Sequence, residues 1–510
     1  MGRLRVAVLA LALLAGLALL THVQAAAPAR TLVVAVPPEP PHLDPAEHVG
    51  IQHDFNYHIY RKLYTFTPQM APVPDLVAAE TISRDLRTWT LEIKRNVTFS
   101  DGTPVDAAAV KYSIERMLDP ARRASMAVLF NPIKTVTVKS DHVVEIETKE
   151  PFASLRHNLA HPNTGIISPK ADRELGARFG RAPVSAGPYM VTEWLSGDRI
   201  VLTRFEGYQG ARPYYDQIVF RVVPSPETRL AMVESGEAHV ALRVPPTLTR
   251  VAGGNRDLQV IKLEGTGLYY FWLNLGMAPT ADPRVRQALN LAVDRDAIIK
   301  RVALGGASPA RSVMERTIRF SCPVGTLGYD PEAARRLLRE AGVSGGRVRM
   351  LASEGQWELD RQVAEAVAGY LREAGLDPEL RLYADAAAFR EASMKREVHM
   401  GLVAWPGSTA DPDHYLRRQL WGEIAGRPWN FAGYRNPQVD GLIARGARTF
   451  DETERAKIYC DAQRLAWDDQ PWLILYRLDG AAVARADITG IEVYVNSQAH
   501  LFTGARPATK

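Results

Sequence analysis

Helices and strands alternate regularly through the second half of the chain, and this alternation limits the possible folds more than any other sequence feature. Apolar residues recur every three to four positions in segments such as 331–341 and 358–374, which is typical of amphipathic helices. Short apolar runs at 348–352, 398–405 and 473–476 predict strands, the last of them closing this part of the chain. A chain of this kind buries its strands as a sheet between layers of helices. The sequence therefore predicts an α/β fold.

The first half of the chain is richer in strands that alternate between apolar and polar residues. Such runs occur at 88–93, 142–148 and 199–204. This pattern is typical of antiparallel sheets that have one buried face and one solvent-exposed face. The two halves are therefore expected to differ in sheet type.

The segment 267–276, GLYYFWLNLG, is unusual because it is bulky at nearly every position. Side chains alternate between the two faces of a strand. One face would carry Tyr269, Phe271 and Leu273, and the other Tyr270, Trp272 and Asn274. Two interpretations remain open: the strand is buried in the core on both faces, or one face lines a binding pocket. We keep four of these residues as candidate binding residues: Tyr269, Tyr270, Trp272 and Asn274.

The N-terminus has the three-part pattern of a secretory signal peptide. Two basic residues, Arg3 and Arg5, precede an apolar or glycine run of 15 residues at 6–20. Spanning a bilayer takes about 20 such residues. We expect residues 1–25 to be cleaved, leaving a soluble periplasmic protein. The first cysteine is Cys322, so no lipid-anchored cysteine is expected at the new N-terminus.

The charge of the chain argues against nucleic acid as a binding partner. The formal net charge of +5 falls to +3 without Arg3 and Arg5, and no lysine- or arginine-rich run occurs. We therefore expect no nucleic-acid partner, because nucleic acids bind concentrated positive charge.

The two cysteines, Cys322 and Cys460, leave two alternatives open. They could form a disulfide in an oxidising compartment, or Cys460 could be a small apolar core residue of a helix.

The motifs that could support catalysis lack the required context. Residues 342–346, GVSGG, match the G-x-S-x-G pattern of a nucleophile elbow. An elbow runs from strand to helix, whereas here the helix comes first; Gly342 is predicted to end that helix. His157 and His161 have no third metal ligand nearby in the sequence. We expect no enzyme activity, no metal site and no cofactor, and a secreted α/β hydrolase is disfavoured.

Six segments together resemble the extracytoplasmic solute-binding proteins of family 5, which serve peptide and nickel ABC transporters. In chain order they are VTFSDGTPVDAAAVKYSIERMLDP, SAGPYMVTEWLSGDRIVLTRFEGYQG, DPRVRQALNLAVDRDAII, YDPEAARRLLREAG, ADPDHYL and YRNPQVDGLI. The resemblance covers nearly the whole chain after the signal peptide. It implies a periplasmic-binding-protein fold of type II, cluster C. In that fold two lobes close on a ligand about two crossover hinge strands, and an extra small domain lies beside the first lobe.

The resemblance also implies a division into domains and a role. The first lobe would take 26–75, 188–266 and 479–510, the small domain 76–187, and the second lobe 267–478. The protein would be a monomer that captures a solute and delivers it to a membrane permease and ATPase. A sensory or chaperone-like binding module without a transporter remains an alternative.

In peptide-binding members of the family, two short strands clamp the ligand backbone as added β-strands. Their counterparts by alignment are Val49, Gly50 and Ile51 in the first lobe and Ala404, Trp405 and Pro406 in the second. The resemblance therefore implies that Trp405 faces the ligand.

The sequence departs from the peptide-binding members at three positions. Ser408 replaces the aspartate that holds the ligand ammonium, and burying an ammonium without a carboxylate costs a few kcal/mol. Pro406 cannot donate a backbone hydrogen bond. Glu354 is nearest to the position of the carboxylate-binding arginine, with Arg361 one or two helical turns further on. We therefore expect a ligand other than an ordinary free peptide. Metal chelates, sugars, opines and amino-acid conjugates are all carried in this family. The alternative is a di- or oligopeptide whose ammonium is held by Asp411 or by another acid at a neighbouring position.

Overall fold

The computed structural model describes most of the chain: residues 29–37, 39–47, 52–122, 124–405, 407–427, 429–494 and 499–509. The predicted signal peptide lies outside the described residues, and so do four of the predicted clamp residues: Val49, Gly50, Ile51 and Pro406.

Strands predominate in the first part of the chain. They are β1 (Thr31–Val36), β2 (Tyr64–Phe66), β3 (Pro72–Pro74), β4 (Val77–Ile82), β5 (Thr88–Ile93), β6 (Ile133–Ser140), β7 (Val143–Thr148), β8 (Tyr189–Leu195), β9 (Arg199–Arg204), β10 (Gln217–Val222) and β11 (Val240–Ala241). The helices between them are α1 (His53–Ile59), α2 (Ala107–Leu118), α3 (Leu155–Leu159), α4 (Pro169–Leu175), α5 (Pro226–Glu234) and α6 (Pro246–Ala252).

Helices and strands alternate through much of the rest of the chain. The strands are β12 (Leu258–Leu273), β13 (Ala307–Pro309), β14 (Arg347–Ser353), β15 (Asp377–Tyr383), β16 (Met400–Trp405), β17 (Trp472–Arg485), β18 (Ile488–Thr489), β19 (Glu492–Tyr494), β20 (Ala499–Leu501) and β21 (Arg506–Pro507). The helices are α7 (Pro283–Ala292), α8 (Arg295–Arg301), α9 (Pro331–Glu340), α10 (Asp360–Glu373), α11 (Ala386–Lys395), α12 (Pro412–Leu420), α13 (Pro437–Arg448) and α14 (Glu452–Asp469).

One 11-stranded sheet joins the two halves of the chain. Its order is β15–β14–β16–β12–β17–β11–β1–β10–β9–β8, with β13 beside β17. The two central strands, β12 and β17, are antiparallel and pair from Leu258 opposite Arg485 to Trp272 opposite Trp472. On one side β12 pairs with β16, and on the other β17 pairs with β11. These long strands are the two crossover strands that the resemblance implied.

A separate antiparallel sheet forms within residues 77–148, in the order β4–β5–β7–β6. Helix α2 covers one of its faces. The shared core contains Trp89 and Leu91 from β5 with Val110 and Ile114 from α2. Asp106 accepts a hydrogen bond from the backbone N of Ala109 and so caps the start of α2, which satisfies an otherwise unpaired backbone donor.

The bulky strand is buried on both faces, in the arrangement that alternation predicted. Tyr269, Phe271 and Leu273 belong to one core cluster, whereas Tyr270 and Trp272 belong to another on the opposite face. These five side chains therefore pack in the core on both faces of the strand.

The two cysteines form a disulfide, with their Cα atoms 5.6 Å apart. It joins the segment before α9 to helix α14, so the disulfide alternative is correct. Gly342 follows α9 with a φ of +72°, a value that favours glycine, and thus ends the helix as predicted. No helix within the described ranges is long and apolar enough to cross a membrane.

Candidate functional site

A cavity of about 1000 Å³ lies between residues 125–158 and the second half of the chain. Its volume is at the upper end of the range for small-molecule sites. Helices α11, α12 and α13 contribute to one wall, and residues around β6 and β7 contribute to the other. Six aromatic side chains line it: Phe152, Trp357, Phe389, Trp421, Trp429 and Phe431.

Trp405 lies directly behind this wall. It ends β16, is only 4% exposed, and its ring centroid is 4.3 Å from that of Trp429. The guanidinium of Arg418 lies over both indoles, 5.2 Å from the ring centroid of Trp405 and 4.7 Å from that of Trp429. Arg418 and Trp429 line the cavity. Trp405 therefore supports the side chains that face the cavity and is not itself part of the wall.

Trp429 has a backbone conformation that large residues rarely adopt. Its φ is +82°, and holding a bulky residue in that region costs about 1–3 kcal/mol. Such conformations concentrate at binding sites, where the surrounding structure enforces them. The conformation brings the indole against both Trp405 and Arg418.

Asp411 is completely buried, and its three hydrogen bonds all reach one carboxylate oxygen, Oδ1. Its carboxylate accepts a hydrogen bond from the backbone N of Asp413 at 2.9 Å and caps α12. It also forms an ion pair with Arg455 at 2.9 Å and accepts a hydrogen bond from Ser154 Oγ at 2.9 Å. Burial alone raises the pKa of Asp411, but the charges of Arg455 and His157 and these hydrogen bonds lower it to about 2.

This network connects residues 150–158 to the second half of the chain. Arg455 donates a hydrogen bond to Ser154 Oγ at 2.7 Å, and the backbone N of Ala153 donates to Ala447 O at 2.8 Å. The carboxylate of Asp411 is thus a structural link, completely buried and already neutralised by Arg455. This arrangement disfavours the alternative in which Asp411 holds a peptide ammonium, and that alternative stays a prediction.

The remaining charges of the cavity wall divide into paired and unpaired groups. Arg417 pairs with Asp413 at 2.7 Å, and Arg448 pairs with Glu150 at 2.7 Å. Within the described ranges, Arg390 and Arg418 have no acidic partner, although both line the cavity. Burial and the charge of Arg390 lower the pKa of Arg418 to about 10.

His414 is a neutral, unpaired group of the same wall. It lies one helical turn before Arg418 on α12 and is 5% exposed. Burial, followed by the charge of Arg418, lowers its pKa to about 3. Neither ring nitrogen has a hydrogen-bond partner in the part of the chain that the structure describes. The imidazole can therefore donate or accept one hydrogen bond from a ligand.

None of the described residues that the sequence singled out lines this cavity. Tyr269 donates to the backbone O of Glu358 at 2.9 Å, and Tyr270 donates to Gln419. The amide of Asn274 donates to Arg396 O and Val398 O. As ligand contacts these residues remain predictions, but their polar atoms already have partners within the core.

The other candidate residues also lie away from the wall. Glu354 forms an exposed ion pair with Arg361, and Trp272 packs near Phe431. Ala404 and Ser408 are both 5% exposed. Two of these positions have cavity-lining residues nearby in the sequence: Gln356 follows Glu354 closely, and Val403 precedes Ala404.

No three histidine, cysteine or acidic side chains among the described residues come close enough together to hold a metal ion. The polar groups that face the cavity are arginines, a lysine, amides and a histidine, together with three acids of which two are paired. The wall is therefore suited to hydrogen bonding and to anion binding.

The chain is similar to known proteins over most of its length. Residues 71–423 match the family model of bacterial extracellular solute-binding proteins, family 5 Middle. The glutathione-binding protein GsiB of Pectobacterium atrosepticum is 32% identical over 425 residues, which cover 82% of each chain. GsiB of Escherichia coli K12 is 31% identical over 425 residues, which also cover 82% of each chain.

Solved structures share the fold. NikA from Brucella suis in complex with Fe(III)-EDTA matches with a TM-score of 0.85 and 25% identity, covering 94% of this chain and 99% of NikA. The dipeptide-binding protein of Pseudoalteromonas sp. SM9913 in complex with Met-Leu matches with a TM-score of 0.84 and 22% identity, covering 94% and 100%. The periplasmic binding protein DppA of Helicobacter pylori, in complex with the peptide STSA, has a TM-score of 0.83 and 23% identity, covering 94% and 98%.

These matches confirm the predicted cluster C fold and the predicted family. The family consists of solute-binding proteins, so the expectation of a protein without enzyme activity is confirmed on that membership. The chain therefore belongs to the bacterial extracellular solute-binding proteins of family 5, the substrate-binding components of ABC importers.

Proposed function

We propose that the protein captures a small solute in the cavity beside Arg418 and Trp429 and delivers it to a membrane permease and ATPase. The observation that carries this proposal is the 1000 Å³ cavity, whose walls come both from residues 125–158 and from α11 to α13. A solute in this cavity contacts both walls at once. Its binding energy therefore favours the arrangement in which the walls are together.

The domain division predicted from the sequence is part of the proposal. Strands β14 to β16 lie on one side of the crossover pair, and β1 and β8 to β11 lie on the other. All four strands of the smaller sheet fall within 76–187. Movement about β12 and β17 would carry the second lobe relative to the first lobe and the small domain. We place the mature protein in the periplasm, as the N-terminal pattern predicts.

The ligand is proposed to differ from an ordinary free peptide. Ser408 offers no charge, and the carboxylate of Asp411 is occupied by Arg455 and Ser154. An α-ammonium buried in this region would therefore lack a carboxylate partner, at a cost of a few kcal/mol. The relatives named for glutathione make that γ-linked tripeptide the first candidate ligand, since its ammonium already has the carboxylate of the same γ-glutamyl residue beside it. Di- and oligopeptides are the alternative.

A ligand screen on the mature protein tests this function. The protein is partially unfolded and refolded to remove bound solute, and its thermal stability is measured with glutathione, glutathione disulfide, α-linked di- to pentapeptides, nickel-histidine, opines and sugars. A solute at 100 times its Kd adds about 2.7 kcal/mol to the free energy of unfolding. Stabilisation by glutathione or by a non-peptide solute supports the proposal. Stabilisation by α-linked peptides alone contradicts the ligand class, and no stabilisation by any solute contradicts the function.

Delivery to a transporter needs a separate test. Uptake of the stabilising solute is measured in cells that lack this protein and in cells that lack the permease. Loss of uptake in both strains supports a transport role. Normal uptake in both supports the alternative of a sensory or chaperone-like binding module.

A further inference from the structure

The charges of the cavity wall point to one chemical group of the ligand. Two of the arginines that line it are neutralised by acids of the same wall, Arg417 by Asp413 and Arg448 by Glu150. The guanidinium of Arg418 forms no ion pair or hydrogen bond with any described residue. Arg418 is half-buried, and cations that are largely removed from water in folded proteins are nearly always paired. A cation left unpaired in a cavity wall therefore needs a partner from elsewhere.

The two indoles hold the guanidinium of Arg418 in place but accept no hydrogen bond from its N–H groups. Trp405 and Trp429 contact it through their ring faces, with centroid distances of 5.2 and 4.7 Å. Such stacking leaves the N–H groups at the edge of the guanidinium free to donate. The Nε atom is buried and has no hydrogen-bond partner among the described residues. The side chain is thus held in position, with donors that the protein does not use.

A second positive charge strengthens this assignment. Arg390, on α11, lines the same cavity, and after burial its charge is the second cause that lowers the pKa of Arg418. Two like charges that face one cavity repel each other unless an anion lies between or beside them. His414 adds a neutral imidazole with no partner inside the described part of the chain.

We propose that Arg418 receives a carboxylate group of the ligand, with Arg390 as a second positive charge and His414 as a neutral hydrogen-bond partner. The planar guanidinium matches the two oxygens of a carboxylate and can donate to both of them. This inference rests on the proposed function, because it assigns a subsite within the same cavity. It defines the substrate class as solutes with at least one free carboxylate.

The test compares free acids with neutralised partners on three proteins. Kd is measured by calorimetry for glutathione and glutathione diethyl ester, in which both carboxylates are blocked, and for Met-Leu and Met-Leu amide. The proteins are the unaltered chain, Arg418→Met, and the matched control Arg336→Met. Arg336 lies on α9 with 61% of its side chain exposed, far from the cavity wall in sequence and absent from it. The variant Arg418→Lys keeps the charge but loses the planar fork, and it replaces Arg418→Met if the latter does not fold.

We expect the free acid of at least one pair to bind more tightly than its neutralised partner, by about 10- to 100-fold. Arg418→Met should remove this preference and weaken binding of the free acid by a similar factor, while Arg336→Met should change neither. Equal binding of a free acid to Arg418→Met and to the unaltered chain would overturn the subsite and leave the transport function standing.

Two further outcomes separate this inference from the function on which it rests. If the carboxylate-bearing solutes of the screen all fail and a neutral solute such as a sugar binds, the carboxylate assignment is wrong and the binding function stands. If no solute of the screen binds, both are overturned.

Discussion

The two ends of helix α12 carry charged side chains that differ in their partners. Asp411, at the start of the helix, is paired with Arg455, Ser154 and a backbone N–H. Arg418, in the last turn, forms no ion pair within the described part of the chain, and its guanidinium lies over the faces of two indoles. Removing one partner of a buried ion pair is strongly destabilising, because the other charge is left buried without compensation. A charge that faces a cavity without a partner is available to a ligand.

The largest expected effect is at the paired end. Asp411→Asn leaves Arg455 buried without an anion, and breaking such a pair costs about 3–5 kcal/mol of unfolding free energy. Urea unfolding of the mature protein measures this loss. The control is Glu354→Gln, which removes an exposed ion pair with Arg361 and should cost less than about 1 kcal/mol. Equal effects of the two substitutions would show that the Asp411 network has no special structural role.

The disulfide should stabilise the same region as the ion pair between Asp411 and Arg455. Helix α14 carries both Arg455 and Cys460, and the bond to Cys322 ties that helix to the segment before α9. Replacing both cysteines with serine should lower the unfolding free energy by about 2–4 kcal/mol. Ligand affinity should change little, because neither cysteine lines the cavity. A large loss of affinity at unchanged stability would contradict this division of roles.

Acid should destabilise the protein through histidines that are buried in the neutral form. The pKa of His414 is lowered to about 3 and that of His157 to about 4, both mainly by burial. Their unfolded values are near 6.5, so the unfolded state binds more protons below that pH. Stability is therefore greatest above about pH 6.5 and falls as the pH drops, by at most about 1.4 kcal/mol per pH unit for each histidine.

The substitution His414→Gln isolates one of these contributions. Urea unfolding at pH 7, 6 and 5 should show a shallower dependence on pH for this variant than for the unaltered chain. Asp411 behaves differently, because its pKa of about 2 keeps its contribution intact until the pH falls below about 3.8. An unchanged slope for His414→Gln would show that folding does not lower the pKa of His414.

The smallest effect on stability is expected at the unpaired end. Arg418→Met removes a half-buried cation that has no acidic partner within the described ranges, so the ligand-free protein should lose less than about 1 kcal/mol or should gain stability. The same urea experiment measures it. A loss as large as that of Asp411→Asn would show that Arg418 is structural, and the comparison between the two ends of α12 would fail.

Much of the fold was predictable from the sequence, because its signals are local. The helix that Gly342 ends and the two faces of 267–273 follow from periodicity alone. The lengths of the two crossover strands were underestimated. The sequence predicted strands at 267–276 and 473–476, whereas they cover Leu258–Leu273 and Trp472–Arg485. Gly480 looks like the end of a strand but pairs with Leu263 inside the ladder. The partners that keep these strands continuous are distant in sequence.

The cavity was less predictable. The resemblance led to Trp405, which lies one layer behind the wall, because alignment transfers a position and not its neighbours. One local signal for Arg418 was present in the sequence. Arg417 has an acid four residues earlier, Asp413, with which a helical residue is expected to pair. Arg418 has His414 at that spacing and so lacks an acidic partner on its own helix. The direction of the Arg418 side chain depends on its contact with Trp429. That contact is set by the tertiary fold and has no local sequence signal.

A crystal structure of the protein saturated with a ligand from the screen tests the central claim most directly. The account predicts a ligand carboxylate within hydrogen-bond distance of the Arg418 guanidinium, in the cavity beside Trp429, with Asp411 still paired to Arg455. A ligand bound elsewhere, or one whose ammonium displaces Arg455 from Asp411, would contradict it.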